Sequence, residues 1–291
     1  MLNLFKIINK TEKKQNKIVF RLKEFYPEAF SGLDENTFNR WVHGRTSPSL
    51  YKKLLIYTAL DISIISIFKN EHHDSSAKEL KVIESYLEKI DQKLLFGGYV
   101  SYSSTSKVVS EKLPKEIFRR EFDIFYMNNS AYINIRNSMD KEKHHYALNV
   151  IKAISDNTKV GHIVYSDKID LFTMNALKIE ESEYSNHMCV LPMYYMDSEI
   201  LKKLISEFIF KIIDSGLYKT KHKGLFLVSN PMSAQFFESA LKSKLVKYYP
   251  PLKGANKHDK GLYLYEVDLI YMMSIPYIFN LVKKKYETHF E

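Results

Sequence analysis

Asn36, Thr37, Asn39, Arg40 and His43 crowd into one short stretch, and Arg45 follows at once. Amides, a hydroxyl and an imidazole can exchange hydrogen bonds with base edges, and guanidinium groups pair with base edges and phosphates. Such chemistry needs the side chains on one exposed face of a rigid element. Asp34 can cap a helix there, by accepting from a first-turn backbone N–H. Phe38, Trp41 and Val42 fall at i, i+3, i+4 and make a narrow apolar face behind the polar one. Gly44 stands where a helix ends left-handed, and Ser47-Pro48 reopens the chain as N-cap and first helical residue.

Helices are predicted on either side of it: Leu2–Asn9 and Asn16–Phe25 before, Ser49–Leu60 and Ile62–Phe68 after. A polar helix ending Arg40-Trp41-Val42-His43-Gly44-Arg45, then a Pro-Ser turn and a Leu-rich helix, resembles the Cro/phage-repressor (XRE-like) helix-turn-helix. The resemblance implies a recognition helix in the DNA major groove, with Asn36, Thr37, Asn39, Arg40, His43 and Arg45 as its DNA contacts. The segment Tyr26–Leu33 is longer than the tight turn usual in that family.

Charge points the same way. The 291-residue chain carries +9, and residues 1–60 hold eleven Lys/Arg against five acids, an excess of +6. Only +3 is left for the rest, so the excess sits on the helical segment, as attraction to phosphate requires. Apolar content is 45% and no apolar run is long enough to span a bilayer. The N-terminus lacks the cleavage pattern of a signal peptide, and the expected compartment is the cytoplasm. One cysteine, Cys189, allows neither an internal disulfide nor a cysteine metal site, and no metal or other cofactor is expected.

Ser76-Ala77-Lys78-Glu79 reads as a capping box and Gly97-Gly98 as a stop. Between them Leu80, Ile83, Leu87, Ile90 and Leu94 step by 3, 4, 3, 4, a heptad seam. The seam either pairs two copies into a homodimer or packs as a linker helix on the larger domain. Beyond it, strands are predicted at Tyr99–Ser103, Phe122–Met127 and Ala131–Arg136, and a helix at Lys141–Ser155. Strands follow at His162–Tyr165, Leu171–Ile179 and Met188–Tyr195. Then come a long amphipathic helix Ser198–Asp214, strand Leu225–Val228, helix Met232–Lys242, strands Leu245–Tyr249 and Leu262–Leu269, and a closing helix from Ser274.

That order, with Val190-Leu191-Pro192-Met193-Tyr194 and the segment Asn230–Phe237, resembles the acetyltransferases of the GNAT superfamily. The resemblance implies a cleft near Tyr194, Tyr195, Ser198 and Asn230, where backbone N–H groups at a helix start would hold the acetyl-CoA pyrophosphate. The family's Arg/Gln and two glycine positions fall on Tyr195, Ser198 and Ile200. Asp197 and Glu199 bring negative charge to the phosphate position. The general-acid tyrosine falls on Phe237, which has no proton to give.

The sequence thus predicts an all-α helix-turn-helix domain (1–70), a linker helix (71–98) and an α+β GNAT-like domain (99–291). The expected function is a transcription regulator that binds double-stranded DNA, with the second domain a pseudoenzyme that senses a small molecule or protein or dimerises. The alternative is an active N-acyltransferase using acetyl-CoA and carrying a DNA-targeting domain. No membrane partner is expected.

Overall fold

A computed structural model describes residues 15–97, 106–140 and 147–289. The predicted helix Leu2–Asn9 and strand Tyr99–Ser103 lie outside them. The chain divides into two compact units, Met1–Asp74 with Ile270–Glu291, and Ser75–Leu269.

The first unit opens with helices α1 (Gln15–Phe25), α2 (Pro27–Phe30), α3 (Glu35–Val42), α4 (Leu50–Ala59) and α5 (Ile65–Asn70). The Asp34 side chain caps α3, accepting from the Thr37 N–H at 2.6 Å. Phe38, Trp41 and Val42 are buried, as their spacing predicts, and Gly44 is left-handed at φ +70. Two local readings differ. The cap of α4 is Ser49 rather than Ser47, because Ser49 keeps the extended backbone that a cap needs. Between α1 and α3 the chain builds the short helix α2, where a helix-turn-helix needs a turn of a few residues.

The second unit begins with α6 (Ala77–Gly97). Its capping box forms: Ser76 Oγ accepts from the Glu79 N–H at 3.3 Å and the Ser76 N–H donates to Glu79 Oε2 at 3.3 Å. Ile83, Leu87 and Ile90 are buried within the chain, against the helices described next. Ile83, Leu87 and Ile90 therefore form an internal packing face, the linker-helix alternative of the two, and the side chain of Leu94 lies outside the described residues.

The remaining elements are β1 (Lys107–Pro114), α7 (Lys115–Phe122), α8 (Ser130–Asp140), β2 (Ala147–Ser155), β3 (Thr158–Ser166), α9 (Leu171–Leu177) and α10 (Glu181–Tyr184). They continue with β4 (Met188–Val190), β5 (Tyr194–Tyr195), α11 (Ser198–Asp214), β6 (Lys223–Val228), α12 (Pro231–Ser239), β7 (Lys244–Tyr249) and β8 (Leu262–Asp268). They form one eight-stranded sheet ordered β1-β2-β3-β4-β6-β8-β7, with β5 beside β3. Every pairing is antiparallel except β4–β6. This is a mixed α/β fold. Helices α7, α8 and α9 share a buried core with Val150, Val164, Leu225 and Leu264 on one face of the sheet. Helix α11 packs on β1, β2 and β3, and α6 on α11 and α12.

Four sequence readings are overturned here, the first being Phe122–Met127, which ends α7 and turns through a 3-10 helix at Asp123–Phe125 instead of forming a strand. Residues 147–155 are a strand, not a helix. Both faces of β2 are covered, so its apolar residues do not alternate and periodicity cannot tell it from a buried helix. Residues 131–136 and 171–177 are helical rather than extended. Each helix carries a cap in the sequence: Asn129 Oδ1 accepts from the Tyr132 N–H at 2.8 Å, and Asp170 Oδ1 from the Thr173 N–H at 2.6 Å.

Glu266 on β8 lies 2.7 Å from Lys223 Nζ and 3.3 Å from His187 Nε2. The hydrogen bond from His187, more than its burial opposes, and the Lys223 ammonium push its carboxyl down to about 2. A depressed carboxylate stabilises the fold above its ordinary value of 4.5, and that stability is lost as pH falls through about 2. Discounted for partial exposure, the loss is about 1–2 kcal/mol. Urea titrations of Glu266→Gln should show that much less acid sensitivity over this window; an unchanged pH slope would refute the pairing.

The chain closes with α13 (Leu269–Ser274) and α14 (Pro276–His289). Phe279 of α14 stacks on Phe68 of α5 at 4.4 Å, and Tyr286 follows at 6.0 Å from Phe68. Asn280 Nδ2 donates to the His73 carbonyl at 2.8 Å and Lys283 Nζ to the Glu71 carbonyl at 3.0 Å. These contacts join the last helix to the first unit, so the packing divides the span 99–291 near Leu269. Among the described residues, no helix is long and apolar enough to cross a membrane.

Candidate functional site

The parallel pair β4–β6 ends at Val190 opposite Phe226. Beyond it the strands turn to different neighbours. The Leu191 N–H donates to the Val164 carbonyl at 2.9 Å, and Tyr194 and Tyr195 pair with His162 and Gly161 of β3. Leu227 and Val228 stay paired with β8. A crevice opens at the carboxyl ends of two neighbouring parallel strands, where open α/β sheets bind ligands.

Two helices start at this crevice. Asp197 caps α11, accepting from the Ile200 N–H at 2.7 Å, and Asn230 caps α12, accepting from the Ser233 N–H at 2.8 Å. Both starts are covered by α6. Asp91 of α6 accepts from the Ser198 N–H at 2.9 Å and from Ser198 Oγ at 2.7 Å. Tyr86 of α6 meets Tyr195 Oη at 2.7 Å and Ser233 Oγ at 2.9 Å, and its ring stacks on Phe236 at 4.2 Å. The structure therefore joins Tyr195, Ser198 and, through Ser233, Asn230, as the sequence grouped them. Their partner is a helix that sequence reasoning had placed outside the cleft. A carboxylate at a helix start satisfies orphan N–H groups and favours the helix dipole. Here it also holds the anion position that the acetyltransferase resemblance reserves for pyrophosphate. With Asp91 and Asp197 in place, that group does not fit.

Tyr194 points the other way, as alternation along a strand requires. Its ring lies 4.5 Å from Phe125 and 5.6 Å from His162. His162 is fully buried, and Tyr126 Oη is 2.6 Å from its Nε2. Burial, with a smaller push from Lys159, drives the imidazole down to about 3, so it is neutral; burial pushes the Tyr126 phenol far up, so it keeps its proton. Tyr126 lines a cavity of about 180 Å3 at the ends of β4 and β6, with Pro192, Ser229, Asn129 and Asp259. Asp259 Oδ2 accepts from Ser130 Oγ at 2.6 Å and from the Ser130 N–H at 2.7 Å, which fixes the far wall. Sequence reasoning missed this pair, since Tyr126 fell in a stretch read as a strand. Phe237 is a buried core ring, 5.7 Å from Tyr265.

No family description matches the chain, and no curated protein does. Among the solved structures similar to it are three of transferases and synthases. YncA of Salmonella typhimurium, described as an acetyltransferase and solved with acetyl-CoA, is 11% identical over 56% of this chain and 94% of its own, with a TM-score of 0.32. The AHL synthase LasI is 10% identical over 58% and 95%, with a TM-score of 0.33. FeeM, an N-acyl amino acid synthase from uncultured soil microbes, is 10% identical over 59% and 96%, also at 0.33. At these identities the likeness is one of fold alone.

None of the three is described as binding DNA or regulating transcription, and on that finding the expected regulator, with double-stranded DNA as partner, is corrected. Asn36, Asn39, Arg40, His43 and Arg45 are exposed and Thr37 half-buried, forming the polar side of α3 and the turn after it in a small helical unit.

Proposed function

We propose that the unit Ser75–Leu269 transfers an acyl group from a thioester to an amine at the crevice where β4 and β6 part. What carries the reading is the Tyr126–His162 pair at the cavity on these strand ends. When an amine attacks a thioester carbonyl, an oxyanion forms, the C–S bond breaks and a thiolate leaves. A phenol that keeps its proton serves both steps, donating first to the oxyanion and then to the thiolate. With hydrogen on Nε2, His162 donates to Tyr126 Oη and leaves the phenol O–H free to point into the cavity. The proton released by the amine restores the phenol.

The donor is a thioester that brings no pyrophosphate to α11, such as an acyl-phosphopantetheine, because Asp91, Asp197 and Glu199 repel one there. The test is thiol release from acyl-phosphopantetheine in the presence of a panel of amines. Tyr126→Phe should slow it by about 10²–10⁴, the usual share of a positioned acid. No release from the unaltered chain, or an undiminished rate in the variant, would end the proposal. Asp91→Asn keeps an acceptor for Ser198 and removes one charge. It should tighten binding of acyl-CoA by about tenfold, or 1.4 kcal/mol; calorimetry showing no change would place the nucleotide elsewhere.

A further inference from the structure

Helices α6 and α12 leave a groove of about 330 Å3 between them, within the second unit. Small-molecule sites start at about that size, ~300 Å3. Its floor is aromatic and apolar: Phe236 stacks on Tyr86 at 4.2 Å, and Met232 lines the groove with them. Phe236 and Met232 are only half-buried. Lys81, Ser85 and Lys89 form the α6 wall. They stand at i, i+4 and i+8, so they share one face, with about 6 Å of rise between neighbours. Among the described residues no carboxylate lines the groove, and Glu84 and Glu88 of α6 lie outside its lining. Glu238 of α12 is engaged by Tyr265 Oη, which donates to it at 2.6 Å. Both lysines are exposed, and among the described residues neither is joined to an acid.

We propose that this groove binds an aromatic phosphomonoester, with its ring on Phe236 and Met232 and its phosphate over Ser85, between Lys81 and Lys89. A phosphomonoester carries about 1.5–2 negative charges near neutral pH, which two ammonium groups match. The flexible four-carbon stem of lysine brings each ammonium toward Ser85, and the hydroxyl adds a third donor. Nucleoside monophosphates and simple aryl phosphates share that chemistry. The groove meets the crevice at Tyr86, whose hydroxyl is 2.9 Å from Ser233 Oγ. The site does not rest on acyl transfer, because binding is read without a thioester, so either proposal can fail alone.

AMP, phenyl phosphate, adenosine, ribose 5-phosphate and inorganic phosphate are titrated into the full chain by calorimetry. AMP, phenyl phosphate or both should bind about tenfold tighter than any probe that lacks the ring or the phosphate. The stronger of the two names the source. Both lysines are exposed, so Lys81→Gln with Lys89→Gln keeps the fold. That double variant should bind the aromatic phosphate about 10- to 100-fold more weakly, the share of charge-assisted contacts. Adenosine, which is uncharged, should bind it as it binds the parent. Phe236→Leu stays apolar but loses the flat ring, and should narrow the advantage of the aromatic phosphate over inorganic phosphate. Absent saturable binding of either aromatic phosphate, a ringless phosphate or adenosine binding as tightly, or full affinity in the double lysine variant would each overturn the proposal. An undiminished aromatic advantage in Phe236→Leu would overturn the placement of the ring, and the proposal with it.

Discussion

Acidification from pH 6.5 to 3 should strip up to about 5 kcal/mol of stability from the second unit through His162 alone. The imidazole is enclosed by Phe122, Phe125, Tyr126 and Tyr194, with ring centroids between 4.8 and 5.6 Å away. Folded, it stays neutral down to about 3, whereas the unfolded chain takes up its proton near 6.5. The unfolded state thus binds more protons throughout that window. Stability is complete above pH 6.5 and falls as pH drops. His162→Phe suits the aromatic surroundings and cannot titrate. It should be less stable at pH 7, by about 1–3 kcal/mol, because the Tyr126 hydroxyl loses its partner. Its profile between pH 6.5 and 3 should be flatter than that of the unaltered chain by the amount His162 contributes. Parallel profiles in urea titrations would mean that the imidazole reaches water or a proton acceptor in the folded state.

Phe279→Ala should cost about 3–5 kcal/mol, the usual range for emptying a buried aromatic site. The loss should fall on the first unit. Phe279 and Phe68 are both fully buried and stack face to face, with His73 edge-on at 5.1 Å. No other aromatic pair links α14 to α5 as closely among the described residues. Limited proteolysis separates the outcomes: cleavage should appear within residues 15–74 and 270–289 while 75–269 resists. A variant as protease-resistant as the parent would show that α14 is held by other contacts.

How far the sequence revealed this arrangement depended on how many faces each element buries. Helix α11 was legible to the residue, because Asp197 caps it and Leu201, Leu204 and Phe208 recur at helical spacing and are buried, with Lys202, Lys203 and Ser206 between them only half-buried. Strand β2, covered on both sides, has no such contrast and read as a helix. Helix α8 was misread although Asn129 announced it, because Tyr132, Ile133 and Ile135 are equally at home in a strand. The site failed for a different reason. Tyr126 and His162 are 36 positions apart, and Asp91 and Ser198 are 107 apart. No spacing rule connects a carboxylate on one helix with an N–H on another so distant. The warning signs at α11, missing glycines and added acids, were visible; that a third acid would arrive from α6 was not.

The two-part composition of the first unit bears on how the protein is made. Its opening helices leave the ribosome before Ser75–Leu269, and its closing helix only after. At about 5–20 residues per second the interval is on the order of 10–40 s. Through that time Phe68, and the α5 surface that Phe279 will cover, have no partner from their own chain. The second unit is continuous and can collapse as it emerges. A nascent chain stalled before Pro276 should therefore hold a folded sheet and helices still open to chaperones, and the emergence of α14 becomes the step that lets the first unit close.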